Sequence, residues 1–357
     1  MTAILVSGGA GFIGSNLVTH LLSKYPNISI INLDKLTYAG SMENLREAQK
    51  DARHCFVHGD ITDEAFVGRL FAEREIDGVI HLAAESHVDN SIDRPAEFIN
   101  TNINGTFALL NAARHSWQAR GVFKSARFHH VSTDEVFGTL GDAGFFTESS
   151  PYAPNSPYSA SKASSDFLVR SFHHTYGLNT VISNCSNNFG PKQHDEKLIP
   201  TVIRSALSGL PIPIYGNGMN IRDWLFVGDH CRALDLVFNA GEVGQTYNIG
   251  TRTEVRNLDL AKKICGVLDA IAPKAHGSYA EQITFVADRP GHDYRYAIDP
   301  TKIERTLGFC AMSSFEDALE ETVSWYCARY ASRRGDSRPM KGPRPSSEWG
   351  RPGADQP

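Results

Sequence analysis

Residues 8–14, GGAGFIG, constrain this chain more than any other stretch. They follow an apolar run at 3–7 (AILVS) and open a helical pattern over 14–25. Gly9, Gly11 and Gly14 fall at G-x-G-x-x-G spacing. Glycine allows a tight turn, lets a pyrophosphate approach the backbone, and lets helix and strand pack closely. The helix that follows points free N–H groups at that phosphate. A second apolar run at 28–33 ends in Asp34, where an acid can bond ribose hydroxyls. The unit therefore reads as a dinucleotide site. Asp34 repels a 2′-phosphate and so favours NAD over NADP, a preference that the neighbouring Lys35 softens.

Further short apolar runs at 54–58, 77–82, 127–132 and 179–184 alternate with helical patterns at 63–74, 102–119 and 157–176. Nearly all-apolar strands separated by helices predict a parallel sheet covered on both faces. The fold class expected is α/β, a Rossmann-type doubly wound parallel sheet with a smaller carboxyl-side substrate domain. The expected division is 1–184 for the NAD-binding domain, with 222–249 returning to it. Residues 185–221 and 250–330 would then form the smaller domain. The stretch 185–221 reads as loops around one helix near 197–208, and 331–357 as a disordered tail poor in apolar residues. The unusual residues gather at strand ends: GDI at 59–61, LAAESH at 82–87, STDE at 132–135 and NCSNNFG at 184–190. In open α/β sheets that is where ligands bind.

Bulk properties exclude several classes. The formal net charge of −5 gives no general attraction for nucleic acid or an anionic membrane. There is no run of about 20 apolar residues. The 6 cysteines are scattered without a CxxC pair, which argues against zinc or a disulfide framework and fits a reducing compartment, the cytoplasm. No metal site is expected.

Tyr158 and Lys162 are four apart on a helical pattern and share a face. A free phenol titrates near ~10, too high for a base at neutral pH. A nearby ammonium and a cationic nicotinamide both favour the phenolate. Tyr158 can then take a proton from a substrate hydroxyl as hydride leaves the same carbon, with Ser132 or Thr133 bonded to that hydroxyl. Asp134 and Glu135 follow at once. Adjacent residues on a regular strand point to opposite faces, so both acids reach one substrate only if the backbone leaves extended geometry near Thr133. Taken alone, the doublet reads better as a helix cap, and only beside Tyr158 and Lys162 does the catalytic reading prevail.

The glycine motif, the Ser–Thr pair after the fifth strand and YxxxK together resemble the extended short-chain dehydrogenase/reductase superfamily. Within it, DKLTYAG (34–40), HLAAESHVD (81–89), STDEVFG (132–138), YAPNSPYSASKASSD (152–166), NCSNNFGPKQHDEKLIP (184–200), IRDWLFV (221–227) and DRPGHDYRYAID (288–299) resemble the dTDP-glucose 4,6-dehydratase family. The resemblance implies oxidation of a sugar at C4, loss of water across C5–C6, and return of hydride to C6, a step in deoxysugar biosynthesis. It makes Glu135 the base at C5, Asp134 the acid at the C6 hydroxyl, and Thr133, Tyr158 and Lys162 the redox group. An ordinary Asp titrates near ~3.9, so Asp134 must be raised by burial and by Glu135. The resemblance places NAD, tightly bound and regenerated each turnover, on Gly8, Gly9, Gly11, Phe12, Ile13, Gly14, Asp34, Lys35, Leu36, Thr37, Asp60, Ile61, Leu82, Ala83, Ala84, Ser86, Thr101, Tyr158, Lys162 and Asn188. It places the nucleotide sugar on Ser86, His87, Thr133, Asn187, Lys197, Leu198, Pro213, Tyr215, Arg222, Asn257, Asp288, Arg289 and His292. It also implies a homodimer built through helices 102–119 and 157–176. The chain departs from the family pattern at Ser7, Asn90, Phe137, Lys192 and His194.

Alternatives from the same chemistry are a UDP-sugar 4,6-dehydratase, a 4-epimerase or a nucleotide-sugar decarboxylase. An epimerase needs Tyr158 and Lys162 but no elimination pair, and a decarboxylase needs no acid for a C6 leaving group. A non-catalytic dinucleotide-binding module would not need the Tyr–Lys pair or the doublet.

Overall fold

The computed structural model describes residues 2–334. Strands β1 (Thr2–Ser7), β2 (Ile28–Asp34), β3 (His54–His58), β4 (Gly78–His81), β5 (Arg127–Thr133) and β6 (Thr180–Cys185) fall on the six apolar runs. They are followed by β7 (Asn187–Phe189), β8 (Ile212–Tyr215), β9 (Ile221–Phe226), β10 (Thr246–Ile249), β11 (Glu254–Arg256) and β12 (Ile283–Val286). The helices are α1 (Phe12–Lys24), α2 (Glu64–Glu73), α3 (Val88–Asp93), α4 (Pro95–Phe98), α5 (Gly105–Ala119), α6 (Pro157–Tyr176), α7 (Leu198–Leu207), α8 (Val227–Ala240), α9 (Asn257–Ile271), α10 (Thr301–Leu307) and α11 (Phe315–Arg334).

A 7-stranded sheet runs in the order β10-β6-β5-β4-β1-β2-β3, with every neighbouring pair parallel. Its strands are apolar on both sides because both sides are covered. Ile4 and Val6 of β1 join Leu17 and Leu21 of α1 and Val237 of α8 in one core. Leu5, between them, joins Leu70, Leu109 and Phe172 of α2, α5 and α6 in another. Leu21 is fully buried, and its truncation to Ala would cost about 2–5 kcal/mol. The strand order reverses between β1 and β4, which opens a crevice beyond their carboxyl ends.

A 3-stranded sheet, β11-β9-β7, and the β12-β8 pair lie on the carboxyl side. A third core there gathers Phe189, Ile203, Ile214, Trp224, Ile264 and Tyr326. β9 belongs to the small sheet, whereas α8 packs on the large one and β10 forms its edge.

Three stretches differ from the sequence reading. Residues 185–221 hold β7 and β8 as well as the expected helix. Both strands are very short, and Pro213 marks β8 as the edge strand that it is. The expected helix over 102–119 becomes regular only at Gly105, after a π-wound turn at Ile99–Asn104. The INTNIN sequence there is Asn-rich and β-branched, a poor helix former. Finally, α11 continues through Arg334 into the stretch expected to be disordered, and the remainder of that stretch lies outside the described residues. Among the described residues, no helix is long and apolar enough to cross a membrane.

Candidate active site

The crevice contains a cavity of about 300 Å³. Its floor is the β1–α1 turn. Gly11 is the N-cap of α1, with no side-chain cap and no acid in the first turn, so the positive helix end faces the cavity unneutralised. Gly8 has φ +76, and a Cβ there would meet the Ala83 nitrogen at 2.6 Å. A Cβ on Gly14 would stand 2.2 Å from the Gly8 carbonyl oxygen. Asp34 accepts the Ala10 N–H at 2.9 Å and the Leu36 N–H at 2.8 Å, which fixes its carboxylate at the end of β2. Lys35 pairs with Asp60 at 2.6 Å. A glycine cradle, a free helix end and an anchored acid fit a dinucleotide.

Of the predicted cofactor residues, Gly8, Gly11, Phe12, Ile13, Gly14, Asp34, Lys35, Thr37, Asp60, Ile61, Leu82, Ala83, Ala84, Ser86, Thr101, Tyr158, Lys162 and Asn188 line the cavity. Gly9 and Leu36 lie outside it. Gly9 backs onto Asn32, and Leu36 serves through its backbone N–H to Asp34.

At the end of β5 the backbone turns as the two acids require. Thr133 is still extended, and Asp134–Phe137 form a 3-10 turn whose cap is Thr133, its Oγ1 accepting the Glu135 N–H at 3.3 Å. The turn is thus a capped helix start and also an acid pair, because the tight winding brings both carboxylates to the cavity wall. Asp134 is 2% exposed, and its Oδ2 has no hydrogen-bond partner. Burial, then the charges of Glu135 and Asp223, hold its carboxyl well above the usual range, which favours its protonated form. Burial also raises Glu135, against the opposing charges of Arg289, Lys197 and Arg222.

Tyr158 and Lys162 are buried on α6 and reach the same wall. The depression expected for Tyr158 is not produced by the chain's own charges. Burial and Glu135 hold its hydroxyl well above the usual phenol range, with a Thr133 hydrogen bond opposing. Lys162 turns its ammonium to the Val131 carbonyl at 2.9 Å. Burial lowers its pKa to about 8.

The predicted substrate residues divide. Ser86, Thr133, Asn187 and Lys197 line the cavity, and Lys197 donates to the Ser86 carbonyl at 2.9 Å. Arg222, Arg289, Tyr215 and His292 cluster beside it. Asp89 accepts from Tyr215 at 3.1 Å and from Arg289 at 3.2 Å, and Asp288 meets His292 at 2.6 Å. Arg222 donates to the Ile221, Tyr294 and Asp293 carbonyls and stacks on Tyr296, so most of its donors are already used. His87 is the N-cap of α3, Leu198 packs against the third core, and Pro213 lies on β8, all outside the cavity. Asn257 also lies outside it, with a buried Oδ1 lacking a partner.

Sequence reasoning assigned no role to Glu196, which sits 3.5 Å from His194 and 4.0 Å from His87 at the rim, nor to Glu85, Gln193 and Tyr38. Glu196 lay inside the quoted motif DEKLIP, but a lone acid in a loop carries no signal of its own. Of the departures, Ser7 bonds His81 at 2.7 Å, and Phe137 stacks on Phe146 in an apolar pocket where a hydroxyl has no counterpart. Among the described residues, no group of three His, Cys, Asp or Glu side chains could hold a metal.

Fold and site together define an extended short-chain dehydrogenase/reductase. The family model described as GDP-mannose 4,6 dehydratase matches residues 5–322. A dTDP-glucose 4,6-dehydratase of Salmonella typhimurium is 55% identical over 336 residues, 91% of this chain and 92% of that one. A crystal structure of DesIV, a dTDP-glucose 4,6-dehydratase from Streptomyces venezuelae with NAD bound, superposes with a TM-score of 0.85 at 45% identity, covering 93% of this chain and 98% of the other. A UDP-glucose 4-epimerase from Thermotoga maritima gives 0.81 at 28% identity, over 92% and 100%. The chain belongs to the dTDP-glucose 4,6-dehydratase family.

Proposed function

We propose that this chain is an NAD-dependent hydro-lyase that converts dTDP-glucose to dTDP-4-keto-6-deoxyglucose, a step in deoxysugar biosynthesis. The observation that carries the reading is the Thr133-capped turn, which puts a buried Asp134, its carboxyl held toward the protonated form, and a second carboxylate beside Tyr158 and Lys162. The epimerase reading leaves that pair without work.

The Gly8–Gly14 turn and the α1 amino end would hold the pyrophosphate of NAD, and Asp34 the ribose. NAD held there would supply a hydride acceptor for C4 and, once reduced, a hydride donor for C6. The positive charge of its nicotinamide would add to that of the Lys162 ammonium a pull on the Tyr158 proton, against the burial that raises the phenol. Tyr158 removes the C4 hydroxyl proton, and Thr133 orients that hydroxyl. Glu135 takes the C5 proton, acidified by the new ketone, and Asp134 protonates the departing C6 hydroxyl. Lys197, Arg222 and Arg289 place positive charge around the Glu135 carboxylate, where a sugar diphosphate needs it.

The same reading takes the large sheet with α8 and β10 as the cofactor domain, and the third core as the nucleotide-sugar domain. It takes the active form as a cytoplasmic homodimer joined through α5 and α6, whose Phe107 and Phe167 are exposed in the single chain. The test is a mass-spectrometric assay without added NAD, with dTDP-glucose and UDP-glucose in separate reactions. Loss of one water from dTDP-glucose alone is expected. An unchanged mass with a new galacto epimer would overturn the reading.

A further inference from the structure

Asp166 is fully buried beneath the end of β5, and the chemistry above does not use it. Its Oδ2 accepts from Tyr152 at 2.8 Å, Ser132 at 3.0 Å and Asn184 at 3.5 Å. Its Oδ1 lies 3.3 Å from Nε2 of His130. The same His130 nitrogen stands 3.4 Å from Nζ of Lys162. Asp166 is one helical turn beyond Lys162 on α6, so acid and ammonium share a face and both approach the same buried imidazole nitrogen.

We propose that Asp166, whose charge reaches Lys162 past the His130 Nε2 that both approach, is the positioning residue that keeps Lys162 cationic in its buried site and so sets the upper pH limit of sugar oxidation. The inference rests on the reading of Tyr158 and Lys162 given above. A buried lysine sheds its proton unless an anion opposes the loss. Four titratable groups besides Tyr158 face Lys162: Asp166 from its own helix, His130 from β5, Cys185 from β6 and His81 from β4. Burial holds His81 far below its ordinary range, draws His130 to about 4 and pushes the Cys185 thiol to about 12, so all three are neutral. Asp166 is the one anion among them. Its carboxyl is held below the usual range, despite burial, by His130, Lys162 and Tyr152. An isolated buried carboxylate is costly, so its pairing with a cation of the catalytic site explains its place in the core better than packing does. Tyr152 extends the cluster outward, where Arg170 donates to its hydroxyl at 3.1 Å.

The test compares wild type, Asp166→Asn and Tyr152→Phe as holoenzymes. The Lys162 ammonium is titrated by NMR of ¹⁵N-lysine-labelled protein, with its signal assigned through Lys162→Arg, and kcat and KM for dTDP-glucose are measured against pH. In Asp166→Asn the Lys162 titration is expected to move down by about one pH unit, and the alkaline limb of kcat to move with it, a roughly tenfold loss above the limb. KM should stay within about twofold, because no substrate contact changes. Tyr152→Phe, which leaves the carboxylate ionised but strips one donor from it, should move both slightly upward, and it keeps the test alive should Asp166→Asn not fold. A folded variant that loses activity equally at every pH, with Lys162 titrating as in wild type, would overturn the proposal and leave Asp166 a packing residue. The titration needs no turnover, so it still decides the matter should wild type fail to dehydrate dTDP-glucose, a failure that would count against the functional reading instead.

Discussion

The hydroxyl of Thr133 caps the turn that carries Glu135, accepting its backbone N–H at 3.3 Å, and the same hydroxyl donates to Asp134 Oδ1 at 3.3 Å. One side chain therefore fixes both acids. Thr133→Ser keeps the oxygen and is expected to retain most activity. Thr133→Val keeps the shape and loses both bonds. It should lower stability by about 1 kcal/mol, as lost caps do. Its kcat should fall about 100-fold or more, since acid, base and C4 hydroxyl all lose their alignment. Thermal unfolding and steady-state kinetics on the two variants check this.

Asp134 and Glu135 should fail at different points. Asp134→Asn cannot protonate the leaving hydroxyl, but oxidation at C4 remains possible, so reduced nicotinamide should accumulate on the protein when dTDP-glucose is added. Glu135→Gln should instead lose exchange of the C5 hydrogen with deuterated solvent. Each should cost about 100- to 10,000-fold in kcat. Absorbance of the reduced cofactor and NMR of the recovered sugar separate the two.

Asp134 also makes a stability prediction with a definite sign. Its folded-state pKa is raised above its unfolded value by burial and by Glu135. Whatever it contributes is therefore complete below the unfolded pKa and is lost as pH rises toward the folded one. As pH rises past the unfolded pKa, the unfolded chain releases its proton more readily than the folded chain does, at about 1.4 kcal/mol per unit of displacement. Asp134→Asn should raise Tm at about pH 7 and leave it nearly unchanged at about pH 2, below the ordinary Asp range of ~3.9, where wild type is protonated in both states. Calorimetry at the two pH values tests it.

Much of this was legible in the sequence because it is local. The run AILVS followed by glycines dictates β1, the turn and α1, and β-branched runs bounded by polar ends dictate β2 to β6. Tyr158 and Lys162 share a face by helical spacing alone. What stayed illegible is set by tertiary contact. Nothing local says that Arg222 spends its guanidinium on the carbonyls of residues 221, 293 and 294, or that Asp89 bridges Tyr215 and Arg289. The sequence suggests a low pKa for Tyr158 from its Lys neighbour. The fold reverses the direction, because burial dominates and the ammonium points to Val131.

Asp89 lends itself to a direct test. It lies at the start of α3, beside the large sheet, and holds Tyr215 of β8 and Arg289 of the 288–292 loop. Both partners belong to the carboxyl-side part of the chain, so Asp89 orients the nucleotide-binding wall against the catalytic one. Asp89→Ala should raise KM for dTDP-glucose by about tenfold, the scale of one charge-assisted hydrogen bond. It should leave kcat within about threefold, because no reacting group is touched.

The last expectation concerns cofactor choice. Asp34 is pinned by two backbone N–H groups, so its charge cannot swing away from a 2′-phosphate. Lys35, the neighbouring cation that could accept such a phosphate, is held by Asp60 at 2.6 Å. Selectivity against NADP thus has two parts, a fixed repulsion and a sequestered attraction. Asp60→Asn releases Lys35 without disturbing Asp34. Reconstitution of cofactor-stripped protein should then show the preference for NAD over NADP narrowed by about tenfold, more at low salt than at high, since Lys35 is largely exposed. Asp34→Asn should narrow it further by removing the repulsion. An unchanged ratio in Asp60→Asn would mean that Lys35 does not reach the 2′ position and that Asp34 alone sets the choice.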